Sequence, residues 1–159
     1  MHLSHFLLGL SATLLVSCSG NKTAEQSVET DTPTNVDIKG RWYLENIVFS
    51  DSDYVRPADE VPGSRQYIVF DDSTYFINTN CNSISGYYTV TGDSITLSDG
   101  ARTEMACDNM TTEDALVRIL PTIATVYIEN DSIARLDSRN PSQYILLRKC
   151  TPVVKCHAD

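Results

Sequence analysis

Asn80-Cys81-Asn82 sets a thiol between two carboxamides, and Thr103-Glu104 stands downstream just ahead of Met105-Ala106-Cys107. A cysteine in such a polar loop is a candidate nucleophile when a base lies within hydrogen-bond reach. The base is missing. Past residue 17 the sole histidine is His157, two residues from the end of the sequence, where nothing fixes its orientation. An oxidising compartment would also convert an exposed thiol to a disulfide. No catalytic residue is therefore named, and Cys81 reads as structural. Asn80, Asn82, Thr103 and Glu104 remain candidate binding residues, although short carboxamides more commonly bond backbone groups at corners.

The N-terminal residues point to that compartment. Residues 1–17 carry a short apolar run, and Leu15-Val16-Ser17-Cys18 resembles a bacterial lipobox. The run is too short to span a bilayer, so residues 1–17 read as a cleaved signal and Cys18 as the lipidated new N-terminus. Ser19 follows where an inner-membrane address would have Asp, which implies an outer-membrane lipoprotein facing the periplasm or the cell surface. Residues 18–38 are polar and poor in apolar groups, and are expected to be a flexible tether. The membrane, reached through this anchor, is thus the first expected partner.

With Cys18 assigned to lipid, Cys81, Cys107, Cys150 and Cys156 remain. An even number in an exported chain suggests disulfides. Cys150 and Cys156 flank Pro152 in a short C-terminal tail, residues 150–159, and form the economical local pair. Cys81 with Cys107 follows by elimination. Zinc is disfavoured because no Cys-x-x-Cys pair is present. Acids such as Asp51, Asp53, Asp59, Glu60, Asp71, Asp72 and Asp99 lie in loops without EF-hand spacing and read as solvated, so no metal is expected. The formal charge of -9, with scattered basic residues, excludes a nucleic-acid surface. No dinucleotide, phosphate-loop or HExxH motif calls for a cofactor.

Short strands must position these residues. Aromatic and β-branched runs at 41–49, 66–70, 74–78, 84–91, 94–97, 123–129, 133–136 and 143–148 are separated by turn chemistry. Gly92-Asp93 and Asn130-Asp131 suit tight hairpins. Residues 50–64 read as a long loop. One stretch, 111–120, has helical spacing, with Leu116, Ile119 and Leu120 on one face. Thr111 with Asp114 resembles a capping box, and Pro121 stops the helix. The pattern predicts a mainly β fold, an antiparallel sandwich, barrel or curled sheet. One α-helix is inserted before the last three strands, plugging an open side.

These motifs, in this order, resemble the META/HslJ-like domain. The family's Gly-Cys-Asn, Gly-x-Tyr and Thr-x-Met-Ala-Cys motifs are matched by Cys81-Asn82, Gly86-x-Tyr88 and Thr103-x-Met105-Ala106-Cys107. Its helix glutamate is matched by Glu113, and its opening tryptophan by Trp42. Asn80 replaces the glycine, a substitution that tolerates positive φ. The resemblance covers residues 39–149 and implies a small cracked antiparallel barrel, similar to secretin-pilot lipoproteins. It also implies envelope lipoproteins linked to stress or drug tolerance, or to secretion and virulence in parasites, with no established catalysis. Thr103 is expected to bond backbone and Met105 to fill the barrel end. The expected function is a non-enzymatic binding or envelope-maintenance module with an envelope-protein or small-ligand partner. Alternatives are a barrel-mouth binder of a lipid or hydrophobic small molecule, and a periplasmic hydrolase inhibitor presenting residues 50–64.

Overall fold

The computed structural model describes residues 34–150. The chain opens with β1 (Gly40–Val48), the short β2 (Tyr54–Val55) and a one-turn helix α1 (Pro57–Glu60). The hairpin β3 (Tyr67–Phe70) and β4 (Thr74–Asn78) follows, then β5 (Ser83–Thr91), β6 (Ser94–Leu97) and the short β7 (Ala101–Arg102). Helix α2 (Thr111–Ile119) runs into a 3-10 turn, Leu120–Thr122. The last strands are β8 (Ile123–Glu129), β9 (Ile133–Ser138) and β10 (Tyr144–Lys149).

All pairings are antiparallel. The path β1-β3-β4-β5-β6-β8-β9-β10 returns to β1, closing a barrel of eight strands, while β2 attaches to β1 and β7 to β5. Strand β10 meets β1 from Trp42 opposite Lys149 to Val48 opposite Tyr144, with a bulge between Leu44 and Asn46. The opposite seam is thin. β6 meets β8 only where Ser94 faces Thr125, helped by the Val126 N–H donating to the Asp93 carbonyl at 2.8 Å. The fold is thus the mainly β barrel with a helix before its last three strands that the strand pattern and the resemblance predict.

Alternation along each strand builds the interior. β4 turns Tyr75 and Ile77 inward and Thr74 and Phe76 outward, and β10 buries Ile145 and Leu147. Trp42 is fully buried, and its indole N–H donates to the Ile38 carbonyl at 2.7 Å. Ala115, Leu116, Ile119 and Leu120 of α2 join the same core, so the helix covers the barrel as its apolar stripe requires. Each fully buried leucine or isoleucine contributes on the order of 1.5–3 kcal/mol. The barrel is a packed core.

Several local expectations change. Residues 34–38 do not belong to a tether: Ile38 is buried, and the Val36 N–H donates to the Gly92 carbonyl at 2.9 Å. Residues 50–64 hold β2 and α1, tied back where the Gln66 side chain donates to the Pro57 carbonyl and where the Phe49 N–H donates to the Asp53 carbonyl. Met110 occupies the N-cap of α2 with no side-chain cap. The capping box does not form; the Thr111 N–H instead donates to Asn109 Oδ1 at 3.0 Å. Met105 is 59% exposed and fills no barrel end, because it lies outside the sheet on the long connection to α2. Gly92, at φ 64°, makes a two-residue turn between Thr91 and Ser94. Asn130 and Asp131, at φ 52° and 53°, sit in a three-residue connection between Glu129 and Ile133. The signal, Cys18, most of the tether and the C-terminal partner Cys156 lie outside the described residues.

After β6 the chain crosses back over β5 at backbone contact distance. A Cβ on Gly100 would stand 1.4 Å from the Ser85 carbonyl oxygen. The same crossing bears on Gly86, whose added Cβ would lie 2.9 Å from the Ser98 carbonyl oxygen, as well as 2.7 Å from the Tyr75 ring of β4. Tyr88 of the same motif is buried, packs edge-on against Phe70, and donates its hydroxyl to the Asp71 carbonyl at 2.6 Å. Backbone cannot yield as a side chain can, so Gly100→Ala should destabilise by roughly 1–3 kcal/mol or more. Urea unfolding would show it, and an unchanged midpoint would refute the close crossing.

Candidate functional site

The Asn-Cys-Asn corner is built by Thr79. Its Oγ1 accepts from the N–H groups of Cys81 (3.2 Å) and Asn82 (2.9 Å) and donates to the Asn82 carbonyl (2.8 Å), which also accepts the Thr79 N–H. This wrap ends β4, starts β5, and sends adjacent side chains to different tasks. Cys81 forms a disulfide with Cys107, 26 residues on. A loop of that length restricts the unfolded chain by about 3 kcal/mol in the chain-entropy picture.

Asn82 turns inward and is only 3% exposed. Its Nδ2 donates to the Met105 carbonyl (2.9 Å) and to Glu113 Oε2 (2.8 Å). Its Oδ1 accepts from the Met105 N–H (2.8 Å) and the Thr103 hydroxyl (2.8 Å). Both donors and both acceptor positions of the amide are thereby occupied. Thr103 in turn is clamped to Ser83, its Oγ1 accepting the Ser83 N–H and its own N–H donating to the Ser83 carbonyl.

Glu113 explains why that amide is needed. Its carboxylate is buried in the first turn of α2, where the helix dipole favours negative charge. Arg102 Nε stands 3.7 Å from Oε1 and the Asn82 amide bonds Oε2, so both oxygens are engaged. Asn80 serves another junction. Its Nδ2 donates to the Asn109 carbonyl at 2.9 Å, and the Asn109 amide donates to the Glu60 carbonyl and side chain.

Beside this hub the barrel mouth opens into a groove of about 460 Å³. Ile84, Leu97, Val117, Leu120 and Pro121 supply an apolar wall, and Asp99, Arg102 and Glu104 the polar rim. The groove exists because β6 and β8 separate after Ser94 and Thr125, leaving the end of β6 facing α2 and its 3-10 turn. Arg102 Nη2 also lies 3.7 Å from Glu104 Oε1, so its guanidinium is flanked by two carboxylates. The Tyr75 hydroxyl, at the groove floor, donates to the Ser98 carbonyl at 3.0 Å. Burial, and then the charge of Asp99, hold this phenol above its ordinary value. Among the described residues no group of three or more His, Cys, Asp and Glu side chains could hold a metal ion.

The family model described as "META domain" matches residues 34–149. The chain belongs to the META domain family. Two solved structures share the fold. One is the NMR structure of a protein from Burkholderia xenovorans, 19% identical, with a TM-score of 0.57 over 70% of this chain and 81% of that one. The other is a DUF4847 family protein from Bacteroides vulgatus, 11% identical, with a TM-score of 0.53 over 70% and 93% of the two chains. Among curated proteins nothing matches.

In this META domain the Asn-Cys-Asn and Thr-x-Met-Ala-Cys motifs meet as one junction. Of the four candidate binding residues, Asn82 and Thr103 bond each other, Asn80 secures Asn109, and Glu104 alone lines the groove. Sequence reasoning passed over Arg102, Val117, Leu97 and Leu120 as groove residues. Arg102 carried a signal, being the lone cation between Arg65 and Arg118. The apolar residues carried none, since strand and helix periodicity assigns them to the core.

Asn82→Ala should cost roughly 2–4 kcal/mol, because it removes four bonds and leaves a buried carboxylate short of a donor. Chemical denaturation measures this, and a loss below about 1 kcal/mol would show that water replaces the amide. The raised Tyr75 phenol gives a second test. The folded state holds that proton more tightly than the unfolded chain, so stability is intact below about pH 10 and falls as pH rises beyond it. Tyr75→Phe should flatten the alkaline decline of the urea midpoint, though not abolish it, since burial also raises Tyr88. An identical decline in the variant would uncouple Tyr75 from it.

Proposed function

We propose that the chain is a lipid-anchored protein of the bacterial envelope whose META domain is a non-enzymatic binding module in envelope maintenance or stress. One observation carries the binding half. Cys81 and Asn82, which the sequence offered for chemistry, are engaged in holding the fold, one in a disulfide and the other in four hydrogen bonds, while the groove beside α2 stays open. The anchoring half rests on Leu15-Val16-Ser17-Cys18 and on Ser19, which favours the outer membrane.

A second reading, a binder of a lipid or hydrophobic small molecule at the barrel mouth, is favoured by the apolar wall of the same groove. Because the barrel interior is filled from Trp42 to Leu147, such a ligand would lie in the groove and not inside the barrel. The inhibitor reading loses support, since residues 50–64 are tied back at Asp53, Pro57 and Glu60.

Radiolabelled palmitate should enter the unaltered chain, and Cys18→Ala should abolish labelling and release the protein from the membrane fraction. In intact cells, a photoreactive residue replacing Val117 should yield adducts that diminish in the Cys18→Ala background. Absence of label in the unaltered chain removes the anchor, and absence of any Val117 adduct removes the binding module.

A further inference from the structure

We infer that the groove beside α2 takes a small amphipathic cation, an alkyl- or arylammonium, in preference to an anionic or neutral amphiphile. The inference rests on the reading of that groove as the binding site and names its ligand class. Its volume of about 460 Å³ lies within the range of small-molecule sites. Ile84, Leu97 and Leu120 form an apolar wall for a hydrocarbon or aryl body, and Val117 stands exposed at its lip.

Charge selects the other end. Asp99 and Glu104 line the groove together with Arg102, and Glu113 pairs with Arg102 from the buried side, so three carboxylates accompany one guanidinium. The guanidinium is already held, with Glu104 and Glu113 each 3.7 Å away. An anionic headgroup would compete with these carboxylates for Arg102 and enter a field of net negative sign, within a chain whose formal charge is -9. An ammonium meets the opposite situation: Asp99 and the outer oxygen of Glu104 are exposed and can approach it at the groove rim. Apolar contact alone would not discriminate between headgroups. The carboxylates do, and they sit on the solvent side, where an ammonium stays partly hydrated while its body is buried.

The test uses the full-length mature chain and three probes sharing one tail: octyltrimethylammonium, octanesulfonate and octyl glucoside, each below its micellar concentration. Amide chemical shifts report the location and titration gives the affinity. The expected result is shifts at Leu97, Arg102 and Val117, with the ammonium bound at least about tenfold more tightly than the sulfonate. Added salt should narrow that gap. The double variant Asp99→Asn, Glu104→Gln, which alters only exposed side chains, should erase the preference for the ammonium, with octyl glucoside shifts still mapping to the groove. Sulfonate binding as tight as the ammonium's would overturn the cation inference and leave the groove reading standing. Shifts absent from the groove with all three probes would overturn both.

Discussion

The Asn82 amide is the constraint on which the rest of this domain depends. It joins the β4–β5 corner, the 98–110 connection and the first turn of α2 through four hydrogen bonds at one buried point. Each bond is modest when satisfied and expensive when left open, so the group works as a unit. Glu113 raises the stakes, because a buried carboxylate needs its donors. Asp in place of Asn82 would set a second carboxylate against it. The disulfide one residue away acts on the same junction by a different route, restricting the unfolded chain rather than satisfying polar atoms.

That junction explains why a connection with little regular structure can be ordered. Between β6 and α2 the chain contributes only the two-residue β7, yet Gly100 crosses β5 in backbone contact, Thr103 is clamped to Ser83, and both polar backbone atoms of Met105 are taken by Asn82. Glycines at 86 and 100 are therefore required by packing distance, with no positive φ involved. The side chain of Met105 remains outside. The motif's structural work here falls to its backbone, its threonine and its cysteine.

The thin β6–β8 seam has the opposite character. A barrel closed by full ladders all round would leave no mouth beside α2. Because these strands part after a single residue pair, the helix covers the core while a groove persists at its edge. The same acidic residues that make the protein strongly negative supply the groove's rim. The buried amide and disulfide hold the elements, and the open seam leaves a groove beside them.

Much of the fold was legible in the amino-acid order. Alternating apolar residues in β4, β9 and β10, the glycine turn at 92, and the spacing of Leu116, Ile119 and Leu120 set strand and helix identity locally, where period and turn chemistry suffice. The Cys81–Cys107 disulfide was likewise anticipated from the cysteine count. The short β2, α1 and β7 were not legible, since two- to four-residue elements exist only through the neighbours that bind them. Nor could order alone tell that Asn82 faces Glu113 across 31 positions, that Met105 points outward, or that Arg102, Leu97 and Leu120 share a groove. Residue types determine which groups need partners; only the closed barrel, by bringing distant segments to bonding distance, decided which partners they found.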